Sequence, residues 1–293
     1  MKPAPFEYFA PTTIEEALAY LSEYGYDAKV LAGGQSLIPM MNFRLAQPSV
    51  IVDINNVADL AYIRTNDDGT LRIGAMSRHN QVERSSLVAD RAGLIYETMP
   101  HIATVQVRSR GTFGGSIAHA DPSAELAAVS VALEGSFLLR NQAGERWIPA
   151  NEFFLGLFTS VLEPDELLLE AKFPPLSNRT GYALVEVARR PHDFALVGVA
   201  ALVTLDQDYR CKRVRLVFLS VGEGPVEALQ AAEMLRNQEL TPESIRAASE
   251  TAARSDIDPG SDIHASAEYR RHLAGVLSYR ALEKAHLRAR GDG

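Results

Sequence analysis

The sequence predicts an α+β chain in two parts: an α/β domain over residues 1–177, then a smaller domain of sheet backed by helices over residues 178–293. Three observations predict it. Helical and strand-like apolar runs alternate through the first part. The stretch Pro174-Pro175-Leu176-Ser177-Asn178-Arg179-Thr180-Gly181 then concentrates breakers and polar residues, as a boundary would. Beyond it, three strand-like runs precede three helical ones instead of alternating with them.

Each element has its local reason. Thr12 with Glu15, and Thr13 with Glu16, offer overlapping capping boxes ahead of an amphipathic helix that Gly25 can end. Lys29-Val30-Leu31-Ala32 reads as a short buried strand, residues 50–54 as a compact one and residues 71–75 as another. Ser77 is placed to cap a helix through Arg84, and residues 92–102 read as helical. Val105-Gln106-Val107-Arg108 alternates with the period of a strand. Residues 124–133 are apolar almost all round, the mark of a buried helix. Residues 136–140 and 145–148 flank Asn141-Gln142-Ala143-Gly144 as a hairpin, and residues 166–173 add a strand. Past the boundary, residues 182–188, 195–205 and 213–221 read as strands, and residues 226–236, 242–254 and 265–290 as helices.

Composition excludes several functions. With 293 residues, 46% of them hydrophobic, the chain can bury one large or two moderate cores. Its net charge of −8 repels nucleic acid, and the Arg-rich C-terminal run alternates with Ala, Leu and His as a solvated helix does. Two prolines and an acid in Met1-Lys2-Pro3-Ala4-Pro5-Phe6-Glu7 leave no secretory core, and no apolar window is long enough for a transmembrane segment. A cytoplasmic protein is expected. Cys211 is the single cysteine, so an internal disulfide and a four-thiolate iron–sulfur cluster are both excluded. It sits between Arg210 and Lys212 with no histidine nearby, and reads as structural. No serine lies in a G-x-S-x-G turn, and His119 with Asp121 at i, i+2 is too sparse a metal site. Neither a catalytic residue nor a metal ligand is therefore assigned.

The chemistry-bearing feature is a pair of segments, Ala32-Gly33-Gly34-Gln35-Ser36 and Thr112-Phe113-Gly114-Gly115-Ser116. Each places a double glycine before a hydroxyl, in a context that reads as strand turning into loop. Adjacent glycines permit positive φ and an unobstructed backbone, so consecutive N–H groups can turn inward on an anion. Ser36 can cap or donate to that anion. Neither segment has Rossmann spacing, and no G-K-[ST] of a P-loop exists. Two backbone cradles closing on one phosphate-bearing cofactor are predicted. Asp121 and Glu125 stand at a helix start, where Glu125 suits a ribose hydroxyl or half of an acid/base pair. A cofactor bringing its own redox chemistry accounts for the lack of nucleophile, base and metal cage.

The run from Leu31-Ala32-Gly33-Gly34-Gln35-Ser36-Leu37 to Leu45 resembles the FAD-binding medium subunit of molybdenum hydroxylases, the family of the carbon monoxide, xanthine and nicotine dehydrogenase types. The later run Thr112-x-Gly114-Gly115-Ser116-Ile117-Ala118-His119-Ala120-Asp121-Pro122-Ser123-Ala124-Glu125 carries the same resemblance, as do Val50 with Asp53-Ile54-Asn55, and residues 186–197. The likeness spans nearly the whole chain. It implies FAD held by Lys29, Leu31, Ala32 and Leu37 around the diphosphate, with Gly33, Gly34, Gln35 and Ser36 as the closest donors. Ile102, Ala103, Val107, Gly111 and Thr112 would begin a second wall that Gly115, Ser116, Ala118 and His119 complete. Glu125 would meet the adenosine ribose, and Leu168 or Leu169 the ring system. Phe194 would cover the isoalloxazine face, with simple core packing as its alternative. The same resemblance implies a large molybdopterin subunit and a small subunit bearing two [2Fe-2S] clusters, in a dimer of heterotrimers, with FAD passing electrons to an external acceptor. A self-sufficient flavin-dependent oxidoreductase and a non-redox nucleotide-binding assembly module remain the alternatives. The substrate, whether carbon monoxide, an aldehyde, a purine or another N-heterocycle, would bind another subunit.

Overall fold

A computed structural model describes residues 2–291; Met1, Asp292 and Gly293, the outermost residues of the two expected domains, lie outside the described residues. The chain opens on a small parallel sheet in the order Glu7–Phe9, Val50–Asp53, Ala28–Leu31, with Ala28 opposite Val50 and Leu31 opposite Asp53. Helix Ile14–Tyr24 buries Ala17, Leu18 and Leu21 along one face against it. Its two overlapping caps become one: Thr13 Oγ1 accepts the Glu16 N–H at 3.2 Å, and the Glu16 carboxylate accepts the Thr12 N–H at 2.8 Å. Gly25, at φ 48°, ends it.

An antiparallel sheet follows in the order Ile63–Thr65, Leu71–Gly74, Leu167–Phe173, Ser136–Asn141, Gly144–Pro149, the last pair being the expected hairpin. Helices Gly93–Thr98, Phe113–His119 and Glu125–Ala132 pack on it. Every residue of Glu125–Ala132 is buried, because this helix also supports the next sheet.

That sheet is antiparallel, in the order Thr180–Ala188, Ala195–Leu205, Cys211–Leu219, Val226–Glu227. Ala200, Leu202, Val217 and Leu219 face helix Glu125–Ala132, while Val197, Val199 and Ala201 face helix Ala267–Arg290. Covered on both sides, strand Ala195–Leu205 is apolar almost without interruption.

Three local expectations are corrected. Val105–Arg110 is a helix, not a strand: alternation over so few residues does not separate the two, and the partners that Arg108 finds inside decide it. Helix His79–Glu83 is capped at Arg78, whose N–H donates to Gln81 Oε1 at 2.9 Å, because the Ser77 hydroxyl is drawn to the Tyr62 carbonyl at 2.8 Å. Val226 pairs with Phe218 as an edge strand, so the following helix is only Leu229–Leu235.

Candidate cofactor site

The strand Ala28–Leu31 ends in a loop that leads into helix Leu37–Asn42. Gly34 turns it at φ 71°, a left-handed conformation that glycine adopts without penalty. The loop's carbonyls are engaged: Ala32 accepts from Asn55 Nδ2 at 2.8 Å, Gly33 from Gln35 Nε2 at 3.0 Å, and Gly34 from the Ile38 N–H at 3.2 Å. Its amides are not. Among the described residues, no acceptor meets the N–H groups of Gly33, Gly34, Gln35 or Ser36. Ser36 makes no side-chain cap, which leaves its exposed hydroxyl to donate as well. Gly33, Gly34 and Gln35 border a cavity of about 400 Å³, also lined by Leu31, Ala32, Ile38, Pro39, Asp53, Asn55 and Arg110.

The second glycine segment lies directly against the first. A Cβ on Gly33 would stand 2.4 Å from the Arg110 carbonyl oxygen and 2.8 Å from Gly111 Cα; one on Gly115 would be 3.7 Å from Ala32 Cβ. The second segment is not a second nest of free amides, however. Thr112 is the N-cap of Phe113–His119, and the first-turn donors are consumed: Phe113 N–H by the Ser77 carbonyl at 2.9 Å, Gly114 N–H by Ala75 at 2.8 Å, and Gly115 N–H by Thr112 Oγ1 at 3.1 Å. Gly114 is needed for close packing, since a Cβ would meet Ala75 at 2.4 Å. What this segment offers is a wall of half-buried Gly115, Ser116, Ala118 and His119.

A row of unpaired backbone donors opening on a cavity fits a diphosphate, and comparison with known proteins names the carrier. Residues 4–176 match the model for the FAD binding domain in molybdopterin dehydrogenase, and residues 182–285 that for the CO dehydrogenase flavoprotein C-terminal domain. This chain belongs to the FAD-binding medium subunits of the molybdenum hydroxylases. It is 40% identical to the 6-hydroxypseudooxynicotine dehydrogenase complex subunit alpha of Paenarthrobacter nicotinovorans, over 99% of this chain and 97% of that one. To the carbon monoxide dehydrogenase medium chain of Hydrogenophaga pseudoflava it is 37% identical, over 98% and 99%. Among solved structures, carbon monoxide dehydrogenase from the same organism, lacking the Mo-pyranopterin moiety of its cofactor, superposes with a TM-score of 0.94 at 38% identity, covering 98% of this chain and 99% of that one. Quinoline 2-oxidoreductase from Pseudomonas putida 86 gives 0.93 at 34%, covering 100% and 99%. The medium subunit is thus an oxidoreductase subunit with an FAD-binding domain.

The fold brings Leu31, Ala32, Gly33, Gly34 and Gln35 of this medium subunit to the cavity, and sets Gly111 against them. Lys29 is exposed on the strand behind, and half-buried Leu37 starts the helix beyond. Ile102, Ala103 and Val107 lie on the approach to the second segment, with Ala103 at φ 43°. Glu125, Leu168, Leu169 and Phe194 stand outside the cavity. Leu168 and Leu169 are buried in different cores, whereas Phe194 is 71% exposed, which rules out core packing for it. His119 rests against Phe158, ring centroids 5.1 Å apart, and burial lowers its pKa. Cys211 is buried and free, its thiol pushed up to about 11 by burial.

Sequence reasoning missed what holds the site. The Arg108 side chain is buried, donating to Glu83 at 3.0 and 3.2 Å and to the carbonyls of Ile102 at 3.0 Å and Ala103 at 2.7 Å. His79 lies under Gly111, where a Cβ would approach its Nδ1 to 2.9 Å, and burial pushes its pKa down to about 4. Arg78 donates to Asn55 Oδ1 at 2.6 Å and to the Arg110 carbonyl. Of the side chains of Arg108, Glu83, His79, Arg78 and Asn55, only that of Asn55 lies within a run that carries the family resemblance.

Glu125 is buried beside two further ionisable groups, His101 and Glu186, which meet at 3.0 Å. Burial pushes its pKa from 4.5 to about 7. The hydrogen bond to Glu186 raises that of His101. Both groups bind protons more tightly in the folded chain, so the stability they confer is present at low pH and lost on the way up. For Glu125 the loss falls between 4.5 and about 7. Melting temperatures of the flavin-free chain across that window are expected to fall with pH, and Glu125→Gln to flatten the slope. An unchanged slope in the variant would place the titration elsewhere.

Proposed function

We propose that the chain binds FAD with its diphosphate on residues 33–36 and relays electrons, received from molybdopterin and [2Fe-2S] centres on separate partner subunits, to an external acceptor. The row of unpaired N–H groups, closed over by the second glycine segment, carries this reading. Ser36 adds a hydroxyl, Lys29, Leu31, Ala32 and Leu37 shape the loop, and the segment from Ile102 to His119 forms the opposite wall. Glu125 serves the adenosine ribose, Leu168 or Leu169 the ring environment, and Phe194, free of the core, the isoalloxazine face. Bound FAD supplies the redox chemistry; the protein binds, orients and shields it. Residues 1–177 form the FAD-binding domain and residues 178–293 the C-terminal flavoprotein domain.

The partners are those of the family. One cysteine is too few to ligate an iron–sulfur cluster, and membership of the family supports clusters and molybdopterin on a small and a large subunit, in a dimer of heterotrimers working in the cytoplasm. Among the described residues no helix is long and apolar enough to cross a membrane. Dehydrogenases of nicotine derivatives and carbon monoxide among the relatives make a small N-heterocycle or carbon monoxide the first substrates to try on the assembled complex. The full chain is expected to purify with flavin absorption and one equivalent of FAD, and to reduce dyes with substrate only when the partners are present. Turnover by the chain alone would point to a self-sufficient oxidoreductase; a colourless protein that takes up no FAD would point to an assembly module.

A further inference from the structure

One run of side-chain hydrogen bonds joins the two glycine segments. Tyr8 donates to Asp53 Oδ2 at 2.6 Å, and Asp53 Oδ1 accepts the Asn55 N–H at 2.9 Å, fixing the Asn55 side chain over the loop. Asn55 Nδ2 then donates to the Ala32 carbonyl at 2.8 Å, while its Oδ1 accepts from Arg78 at 2.6 Å. The other terminal nitrogen of Arg78 donates to the Arg110 carbonyl. The run therefore ends on two backbone carbonyls, one immediately before Gly33 and the other immediately before Gly111.

All peptides of the described residues are trans, and in a trans peptide the C=O and N–H point in opposite directions. A carbonyl tied down on one side thus aims the next residue's N–H to the other. Asn55, by holding the Ala32 carbonyl, sets the direction of the Gly33 N–H, the first of the unpaired donors. Gln35 does the same for Gly34 through the Gly33 carbonyl, but it is exposed and water can replace it; Asn55 and Arg78 are half-buried. Arg78 adds a second constraint, because its two contacts fix how far the Arg110–Gly111 peptide stands from the loop.

The geometry points to Asn55 and Arg78 as positioning residues for the diphosphate loop, aiming the Gly33 N–H and setting the spacing of the two segments through the carbonyls they hold. This rests on the reading that residues 33–36 hold the FAD diphosphate. A hydrogen bond to a charged group is the kind lost when the amide swings away, so affinity should fall about tenfold to a hundredfold in each variant.

The test is titration of the flavin-stripped full chain with FAD and, separately, with ADP, which carries the diphosphate but no isoalloxazine. Asn55→Ala and Arg78→Met are expected to weaken both ligands by the same factor, with the melting temperature of the stripped chain moving only a few degrees. Arg78→Lys, which reaches one acceptor but not both, should recover part of the loss; Asn55→Ser serves if the alanine variant does not fold. Unchanged affinities, or weakening of FAD without ADP, would overturn the positioning role. Gly33→Ala separates the two levels of inference. If it loses FAD while Asn55→Ala keeps it, the loop holds the diphosphate and only the positioning role fails; if both keep FAD, the loop is not the diphosphate site.

Discussion

Gly33→Ala is expected to lower FAD affinity by about a hundredfold or more while leaving the chain folded. The added methyl would lie 2.4 Å from the Arg110 carbonyl oxygen and 2.8 Å from Gly111 Cα, and neither is the yielding end of a flexible side chain. The two segments must move apart. Overpacking of this kind costs about 1–3 kcal/mol. The larger loss is functional, because the displaced residues carry the unpaired N–H groups, each worth about 1.5–3 kcal/mol against a charged oxygen. Gly260→Ala is the matched control: its Cβ meets nothing within 4 Å. Equilibrium titration with FAD, beside a thermal melt of the stripped protein, reads the two effects separately. Parental affinity in Gly33→Ala, with Asn55→Ala also unimpaired, would mean that the flavin diphosphate binds elsewhere.

Arg108→Met should produce the largest loss of stability. The guanidinium is buried, and its removal strands the Ile102 and Ala103 carbonyls and unpairs Glu83. Taking one partner from a buried ion pair costs about 3–5 kcal/mol. Glu83 is 26% exposed, so water recovers part of its share. Ala103 adds to the loss, since its φ of 43° is a left-handed conformation costing about 1–2 kcal/mol that the Arg108 contact sustains. A fall in melting temperature of roughly 10 °C is expected. FAD affinity should drop as well, because Ile102 and Ala103 lead into the second wall. Arg108→Lys, which keeps the charge but not the fork of donors, should fall between. A methionine variant melting with the parent would show that the stranded carbonyls find other donors.

The order of elements was legible because most carry strong local signals. The threonine cap before Ile14–Tyr24 and the nearly unbroken apolar run of Ala195–Leu205 each have one structural solution. Short elements were not. Val105–Arg110 alternates over too few residues to distinguish a strand from a turn and a half of helix, and the carbonyls of Ile102 and Ala103 that Arg108 finds inside show only in the folded chain. The first glycine segment read correctly as an open loop, since its neighbours supply no capping hydroxyl for the freed amides. The second read as its twin and is not, because Thr112 closes on Gly115 and the carbonyls of Ala75 and Ser77 take the Gly114 and Phe113 N–H groups. Arg78 stayed invisible for a general reason: it lies in no motif, and only the folded chain shows that it reaches Asn55 and the Arg110 carbonyl.

Helix Glu125–Ala132 is covered only when the C-terminal sheet lies on it. During synthesis the first half of the chain must wait for the second with this greasy ridge uncovered. A protein truncated near the boundary should therefore clump, and the two halves should melt together rather than in turn.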